Sequence, residues 1–270
     1  MCIRDRVKKG DVWALGEHRL LCGDSTDGAK IKDFIGDRMI DLFITDPPYG
    51  VSYSEKNKDI NSYKEKVDGK SGGSNEGEIE NDSIKASEIG EKLWSPMFQS
   101  VFAIAKPGCS YYVFCASGGE LLAPMLASLA ETKWDLRHCL VWVKNAMVFG
   151  RSDYHYRHEP CLYGWKGGAA HYFCESRSET SVLEFDRPRK NDLHPTMKPV
   201  ALIAYIMGNS SRPGELVFDA FLGSGTTLIA AEQSDRICYG SELSEHYCDV
   251  IVTRWEALSG KVAKLERRIE

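Results

Sequence analysis

The stretch Leu216–Glu242 constrains the fold more than any other part of the chain. Leu216-Val217-Phe218-Asp219 is an apolar run too short for a helix and reads as a buried strand. Ala220-Phe221-Leu222-Gly223-Ser224-Gly225-Thr226-Thr227 follows as a glycine turn that opens a helix through Ala230 and Ala231. Arg236-Ile237-Cys238-Tyr239-Gly240 is the next strand, with Glu242 just past its end. Strand, Gly-x-Gly turn, helix, strand, acid is a βαβ unit that binds a nucleotide-like ligand at its carboxyl edge. The glycines let the backbone approach the ligand, and the acid suits the two ribose hydroxyls. A dinucleotide site calls for a third glycine, which Thr226-Thr227-Leu228 does not supply, and no Gly-Lys-Ser/Thr follows for a P-loop. A ligand with a ribose and an adenine but no phosphate, such as S-adenosylmethionine, fits better.

A second short apolar run ends in a different way. Asp41-Leu42-Phe43-Ile44-Thr45 reads as a buried parallel strand and runs into Asp46-Pro47-Pro48-Tyr49-Gly50. The two prolines remove two backbone donors, so the turn offers acceptors: the Asp46 carboxylate and a carbonyl such as that of Pro47. Two acceptors beside an aromatic ring suit a planar base with an exocyclic NH2, stacked on Tyr49. Taken alone, the same residues also read as a proline-stiffened surface turn.

The rest of the chain alternates strands and helices. Asp11 to Gly16 suggests a small strand or hairpin, and Arg19-Leu20-Leu21-Cys22 a strand ending on Gly23-Asp24. Helices are expected over about 29–35, over 84–105 (Ile89, Leu93, Phe98, Val101 and Ile104 on one face), and over 118–131. Ser110 to Cys115 and Trp134 to Lys144 are expected strands, closing a β-α-β-α-β pattern. A helix starts at or near Pro199, and the last helix is expected over about 246–270. Residues 51–83 are rich in Lys, Glu, Asn, Ser and Gly, which suits either disordered filler or a lid that orders on substrate. Residues 145–191 are short and irregular apart from a strand at Cys161–Trp165. They interleave Arg151, Tyr154, His155, Arg157, Arg187, Arg189 and Lys190, a mixture that suits phosphate contact and base stacking or a solvated surface lobe.

Composition narrows the class. With 270 residues, 43% hydrophobic and 27% charged, the chain has the make-up of one large α/β domain with an inserted lobe, or of two modest ones. A net charge of −5 argues against a non-specific nucleic-acid coat but not against a local basic groove. Nine cysteines without a Cys-x-x-Cys pair imply no zinc site and reduced thiols, as in a cytoplasmic enzyme. His155, His158 and His171 have no second cluster to complete a metal set, and no apolar run approaches the roughly 18 residues of a membrane span. Residues 1–9 are expected to be scar and linker: Cys2-Ile3-Arg4-Asp5-Arg6 matches the translation of a common sequencing adapter, which implies a fragment lacking its true amino terminus.

Asp46-Pro47-Pro48-Tyr49 together with Phe221-x-Gly223-x-Gly225 resembles the amino-methylating DNA methyltransferases, and His194-Pro195-Thr196-x-Lys198-Pro199 resembles their helix start beside the cofactor. The catalytic turn precedes the variable lobe and the cofactor turn comes last, which is the permuted order of the beta class. The resemblance implies a doubly wound, Rossmann-like α/β fold, circularly permuted. Its catalytic half would span 10–144, a target-recognition lobe 145–191 and a cofactor half 192–270. It implies Asp46, Pro47, Pro48 and Tyr49 as the catalytic turn. Asp24 would then face the cofactor adenine and Glu242 its ribose, with Asp219, Phe221, Gly223, Gly225 and Thr226 along its body. Thr196 and Lys198 would lie near its methionine carboxylate. The cofactor is then S-adenosylmethionine and the partner double-stranded DNA, bound by a monomer or homodimer in the cytoplasm of a bacterium or phage-infected cell. Asp at the first position of the turn leans toward adenine N6. Cytosine N4, an RNA substrate or a non-catalytic binding module are the alternatives. Gly10-Asp11-Val12-Trp13 and His18 to Asp24 also resemble the junction behind a ParB-like nuclease domain, which a fragment would have lost.

Overall fold

The computed structural model describes residues 6–50, 84–148, 153–187 and 197–270. Two strands open the chain, β1 (Asp11–Leu15) and β2 (His18–Cys22), followed by helix α1 (Gly28–Ile35) and strand β3 (Ile40–Thr45). A π-helical turn at Gly90–Trp94 feeds α2 (Ser95–Ile104), then β4 (Ala105–Phe114) and α3 (Gly119–Glu131). The long strands β5 (Trp134–Val148) and β6 (Tyr156–Lys166) precede the short β7 (Val182–Glu184). The remainder is α4 (Val200–Ser210), β8 (Leu216–Asp219), α5 (Thr226–Gln233), β9 (Ile237–Glu242), α6 (Glu245–Ser259) and β10 (Lys264–Arg268).

One ten-stranded sheet, in the order β10-β1-β2-β9-β8-β3-β4-β6-β5-β7, carries all of these strands. The five central strands β2, β9, β8, β3 and β4 are mutually parallel. Alternation along them builds two cores. Leu42, Ile44, Tyr112, Phe114 and Val217 point toward α4, α5 and α6, while Phe43, Tyr111, Val113 and Phe218 point toward α1, α2 and α3. Strands buried on both faces explain why these segments read as unbroken apolar runs rather than as alternating ones.

The chain leaves β3 toward β4 and leaves β8 toward β9, in opposite directions along the sheet. The crevice of a doubly wound sheet lies at such a reversal, outside the carboxyl ends of the strands. Here that edge collects Asp24 after β2, Asp46 after β3, Asp219 at the end of β8 and Glu242 at the end of β9.

Several sequence expectations are corrected. Glu242 is the last residue of β9 rather than just past it. The helix expected to reach Glu270 stops at Ser259, because Gly260 takes the left-handed conformation (φ 69°) and closes the helix through its amide to the Glu256 carbonyl. The chain then returns as β10, antiparallel to β1. Strand β5 continues past Lys144 to Val148, and β6 pairs antiparallel with both β5 and β4. The strand expected at Cys161–Trp165 is thus part of a longer β6, which stands between β4 and β5. Residues 1–5, the 51–83 loop, Arg151, Arg189, Lys190, His194, Pro195 and Thr196 lie outside the described residues.

Candidate active site

A cleft at the β3/β8 reversal is lined by Asp46, Pro47, Pro48 and Tyr49 on the β3 side. Asp24, the loop 220–224, Thr226, Thr227 and Glu242 line it on the β8, β9 and β2 side. Both motifs singled out in the sequence therefore meet in one place. Lys198, at the foot of α4, closes the floor together with Glu159 from β6.

The glycine loop is held by Glu242 and Arg254. The Gly223 amide donates to Glu242 Oε2 at 2.8 Å, and the Ser244 amide donates to Glu242 Oε1 at 2.9 Å. Arg254 of α6 donates to the Ser224 carbonyl at 2.6 Å. Gly225 precedes α5 with φ 83°, and a Cβ there would stand 3.0 Å from Ile251, so the turn needs glycine both for its backbone angle and for its packing. Phe221 lies half-buried on the cleft wall, and Thr226 is buried behind it. Asp24 stands beside Glu242, where the Gly23 amide donates to the Glu242 carbonyl at 3.0 Å, and its Oδ1 accepts from the Thr26 amide at 2.9 Å and hydroxyl at 2.8 Å.

Asp219 serves the scaffold. Its Oδ1 accepts from the Thr45 hydroxyl at 3.0 Å and the Phe221 amide at 3.0 Å, and its Oδ2 from the Thr227 hydroxyl at 2.6 Å. It thereby ties β3, β8 and α5 together directly beneath the cleft. Burial pushes its carboxyl from 3.8 up to about 6, against the opposing pull of these hydrogen bonds. A raised folded-state pKa means that the stability contributed by this group is complete below about pH 4 and is lost as pH rises through about 6. Asn keeps the acceptor for Thr45 and Phe221 and donates to Thr227. The stability of Asp219→Asn relative to wild type is therefore expected to increase between pH 4 and pH 7, by up to about 3 kcal/mol. Urea titrations at each pH check this, and a pH-independent difference would contradict it.

The catalytic-looking turn is braced differently. Trp94 Nε1 donates to the Pro48 carbonyl at 3.1 Å, while among the described residues no donor reaches the Pro47 carbonyl. The Tyr49 hydroxyl donates to Asp46 Oδ1 at 2.5 Å. Burial, reinforced by the Asp46 charge, pushes the Tyr49 phenol well up, so it stays protonated and remains a donor. The Lys198 ammonium pairs with Asp46 Oδ2 and, at 3.0 Å, with Glu159 Oε2. Glu159 Oε1 in turn meets Lys144 Nζ at 2.5 Å. Burial opposes ionisation of Glu159, yet the Lys198 and Lys144 ammoniums hold its carboxyl down at about 2.

The charge of the cleft discriminates between ligands. Among its described lining residues are five carboxyl groups (Asp24, Asp46, Glu159, Asp219 and Glu242) and one cation, Lys198, which is already paired. Such a lining repels a pyrophosphate and suits a cationic ligand without phosphate.

The DNA methylase family model (N6_N4_Mtase) matches residues 40–253. This chain belongs to the DNA methylase family. That family holds the beta-class methyltransferases of adenine N6 and cytosine N4. Among its relatives is the type II methyltransferase M.BglII of Bacillus subtilis, 26% identical over 268 residues, covering 84% of this chain and 66% of that protein. The chain thus spans just under two-thirds of that relative's length. Two solved structures share the fold. The M1.HpyAVI–SAM complex superposes with a TM-score of 0.61 at 22% identity, covering 87% of this chain and 98% of that one. The PvuII DNA methyltransferase, described as cytosine-N4-specific, has a TM-score of 0.65 at 15% identity, covering 91% and 94%. The chain accordingly has an α/β fold of the Rossmann-like methyltransferase type.

Of the residues implied by the family resemblance, Asp24, Asp46, Pro47, Pro48, Tyr49, Lys198, Asp219, Phe221, Gly223, Thr226 and Glu242 line the cleft, and Gly225 shapes its loop. Of the residues expected to touch DNA, Tyr154, His155 and Arg157 are exposed at the turn-side end of the β5–β6 hairpin. Arg187 stands beside it, its amide on the Asn145 side chain at 3.3 Å. Sequence reasoning passed over Glu159, Lys144, Trp94 and Arg254. Each lies far in sequence from the motif it supports, and none belongs to a recurrent spacing that would have singled it out.

Proposed function

We propose that this cleft transfers a methyl group from S-adenosylmethionine to the exocyclic amino nitrogen of adenine (N6) in double-stranded DNA, with the target base flipped out of the helix. The observation that carries the reading is the meeting of the Asp46–Tyr49 turn and the Gly223–Gly225 loop in one acidic cleft. When bound, S-adenosylmethionine supplies an electrophilic methyl group on a sulfonium.

The chain's own residues account for the rest. Asp24, Phe221 and Glu242 are arranged to hold the cofactor, with Glu242 already aligned by the Gly223 and Ser244 amides. The acidic lining favours a sulfonium over a neutral or anionic ligand. A base amino group is a poor nucleophile because its lone pair is delocalised into the ring. Hydrogen bonds from its two hydrogens to Asp46 and the Pro47 carbonyl favour a pyramidal nitrogen with its lone pair aimed into the cleft. Asp46 then stabilises the positive charge that develops on the nitrogen and accepts its proton. Flipping costs a few kcal/mol, which stacking on Tyr49 offsets in part. Asp46 at the head of the turn supports adenine over cytosine, and the exposed Tyr154, His155 and Arg157 support DNA contact near the cleft mouth.

Tritium-methyl transfer from labelled S-adenosylmethionine to unmethylated bacterial DNA, with the digested nucleosides resolved, tests the reading. Label in N6-methyladenine is expected. Label in N4-methylcytosine would keep the chemistry and overturn the base; no label in DNA would overturn the substrate. Tyr49→Phe keeps the ring but loses the hydroxyl that orients Asp46. It is expected to lower kcat about tenfold, the worth of one charge-assisted hydrogen bond, and to leave KM for DNA within about twofold. A larger rise in KM than fall in kcat would show that the hydroxyl serves binding instead.

A further inference from the structure

We propose that Glu159 is a positioning residue of the transfer centre, acting through Lys198 to keep the Asp46 carboxylate turned toward the substrate amino group. The proposal rests on the role given to Asp46 above.

Four charged side chains from four separate parts of the chain form one line. Asp46 follows β3, Lys198 precedes α4, Glu159 sits in β6 and Lys144 in β5. Asp46 pairs with Lys198, Lys198 with Glu159 and Glu159 with Lys144. Both lysines are almost sealed from solvent, Lys198 at 7% and Lys144 at 6% exposure. Aromatic faces enclose the line. Lys198 Nζ lies 5.0 Å from the Phe114 ring and 5.9 Å from that of Trp142, and Lys144 Nζ lies 5.1 Å from Trp142. Trp142 is itself anchored by its Nε1 donating to the Phe185 carbonyl at 2.8 Å.

An ammonium facing a single carboxylate can slide across both of its oxygens. Between two carboxylates it is pulled from opposite sides and has one place to sit. Glu159 draws Lys198 away from Asp46 Oδ1, which leaves that oxygen to the Tyr49 hydroxyl and to a substrate donor. The charges balance as well: two carboxylates and two ammoniums make a neutral group that survives burial. Without the Glu159 charge, Lys144 and Lys198 face each other across the vacated place. Lys198 then turns fully onto Asp46 and competes with the amino group for its lone pairs. Misplacement of a reacting group by about 1 Å can cost on the order of a hundredfold in rate.

The test compares wild type, Glu159→Gln, Lys198→Met and the double variant in single-turnover methyl transfer. Cofactor dissociation constants and thermal unfolding are measured on the same preparations. Glu159→Gln keeps the shape and is expected to lower the transfer rate by about 10- to 100-fold, with cofactor and DNA affinities within about threefold. Because Glu159 works through Lys198, the double variant is expected to be no slower than Lys198→Met alone. Should Lys198→Met fail to fold, Lys144→Gln takes its place. It removes the other anchor of Glu159, and its effect is expected to vanish in the Glu159→Gln background. Multiplicative losses, a Glu159→Gln rate within twofold of wild type, or a loss that follows melting of the variant would each overturn the proposal. Those outcomes leave wild-type transfer intact, whereas no transfer by wild type would bring down the underlying functional reading as well.

Discussion

Asp46→Ala is expected to abolish methyl transfer, lowering the rate by at least about a thousandfold, while cofactor affinity stays within a few-fold of wild type. Removing one preorganised group that meets charge developing in a transition state commonly costs about a hundred- to a thousandfold. Asp46 has a second task, since it also orients the amino group, so the upper end of that range applies. Cofactor binding is spared because the residues arranged for it are held elsewhere: Asp24 accepts from Thr26, the Phe221 amide donates to Asp219, and Glu242 accepts from the Gly223 and Ser244 amides. None of those contacts passes through Asp46. The substitution does leave Lys198 buried with Glu159 as its remaining carboxylate. Some loss of stability accompanies it, and the assay belongs below the variant's melting temperature. Calorimetric titration with cofactor beside labelled methyl transfer decides the matter. Loss of cofactor binding in step with activity would move Asp46 from the chemistry to the binding site.

Gly164→Ala is expected to destabilise the fold by about 3 kcal/mol or more, although it adds a single methyl group. Gly164 lies near the carboxyl end of β6, opposite Tyr111 on β4 and Leu136 on β5. A Cβ built there would stand 1.8 Å from the Asp135 carbonyl oxygen and 2.9 Å from the Tyr111 ring. The obstructing atom is backbone in a paired strand, so relief requires β5 to move away from β6. These two strands also carry Lys144 and Glu159 to the floor of the cleft, so the loss should extend to activity near the melting transition. Urea unfolding followed by circular dichroism measures the cost. A midpoint within error of wild type would mean that the hairpin shifts without penalty and that the contact is soft.

Much of the parallel half was legible in the residues themselves. Leu216–Asp219 forms the strand it was expected to form, and Pro199 caps the helix that begins at Val200. These features are local. A buried parallel strand has to be apolar on both faces, and a glycine turn has to follow it wherever backbone approaches a ligand. The antiparallel half was harder to read. Segment 145–191 is irregular in composition because β6 is polar at its exposed end and apolar only where it passes between β4 and β5. The carboxyl terminus misled for a related reason. Lys264–Arg268 is exposed at every residue, and an edge strand held by its backbone leaves no apolar period to find.

By itself, the sequence determined the two motifs, the order in which they occur and hence the permuted family, along with the alternation of strands and helices that wraps a sheet on both faces. Local residue chemistry dictates those things. Only the tertiary structure decided that Lys198 faces Asp46, that Glu159 and Lys144 stand behind it, and that Asp219 braces the cleft from below. Those contacts join residues up to 174 positions apart. They depend on which strands become neighbours at the β3/β8 reversal, and no spacing along a single chain records that.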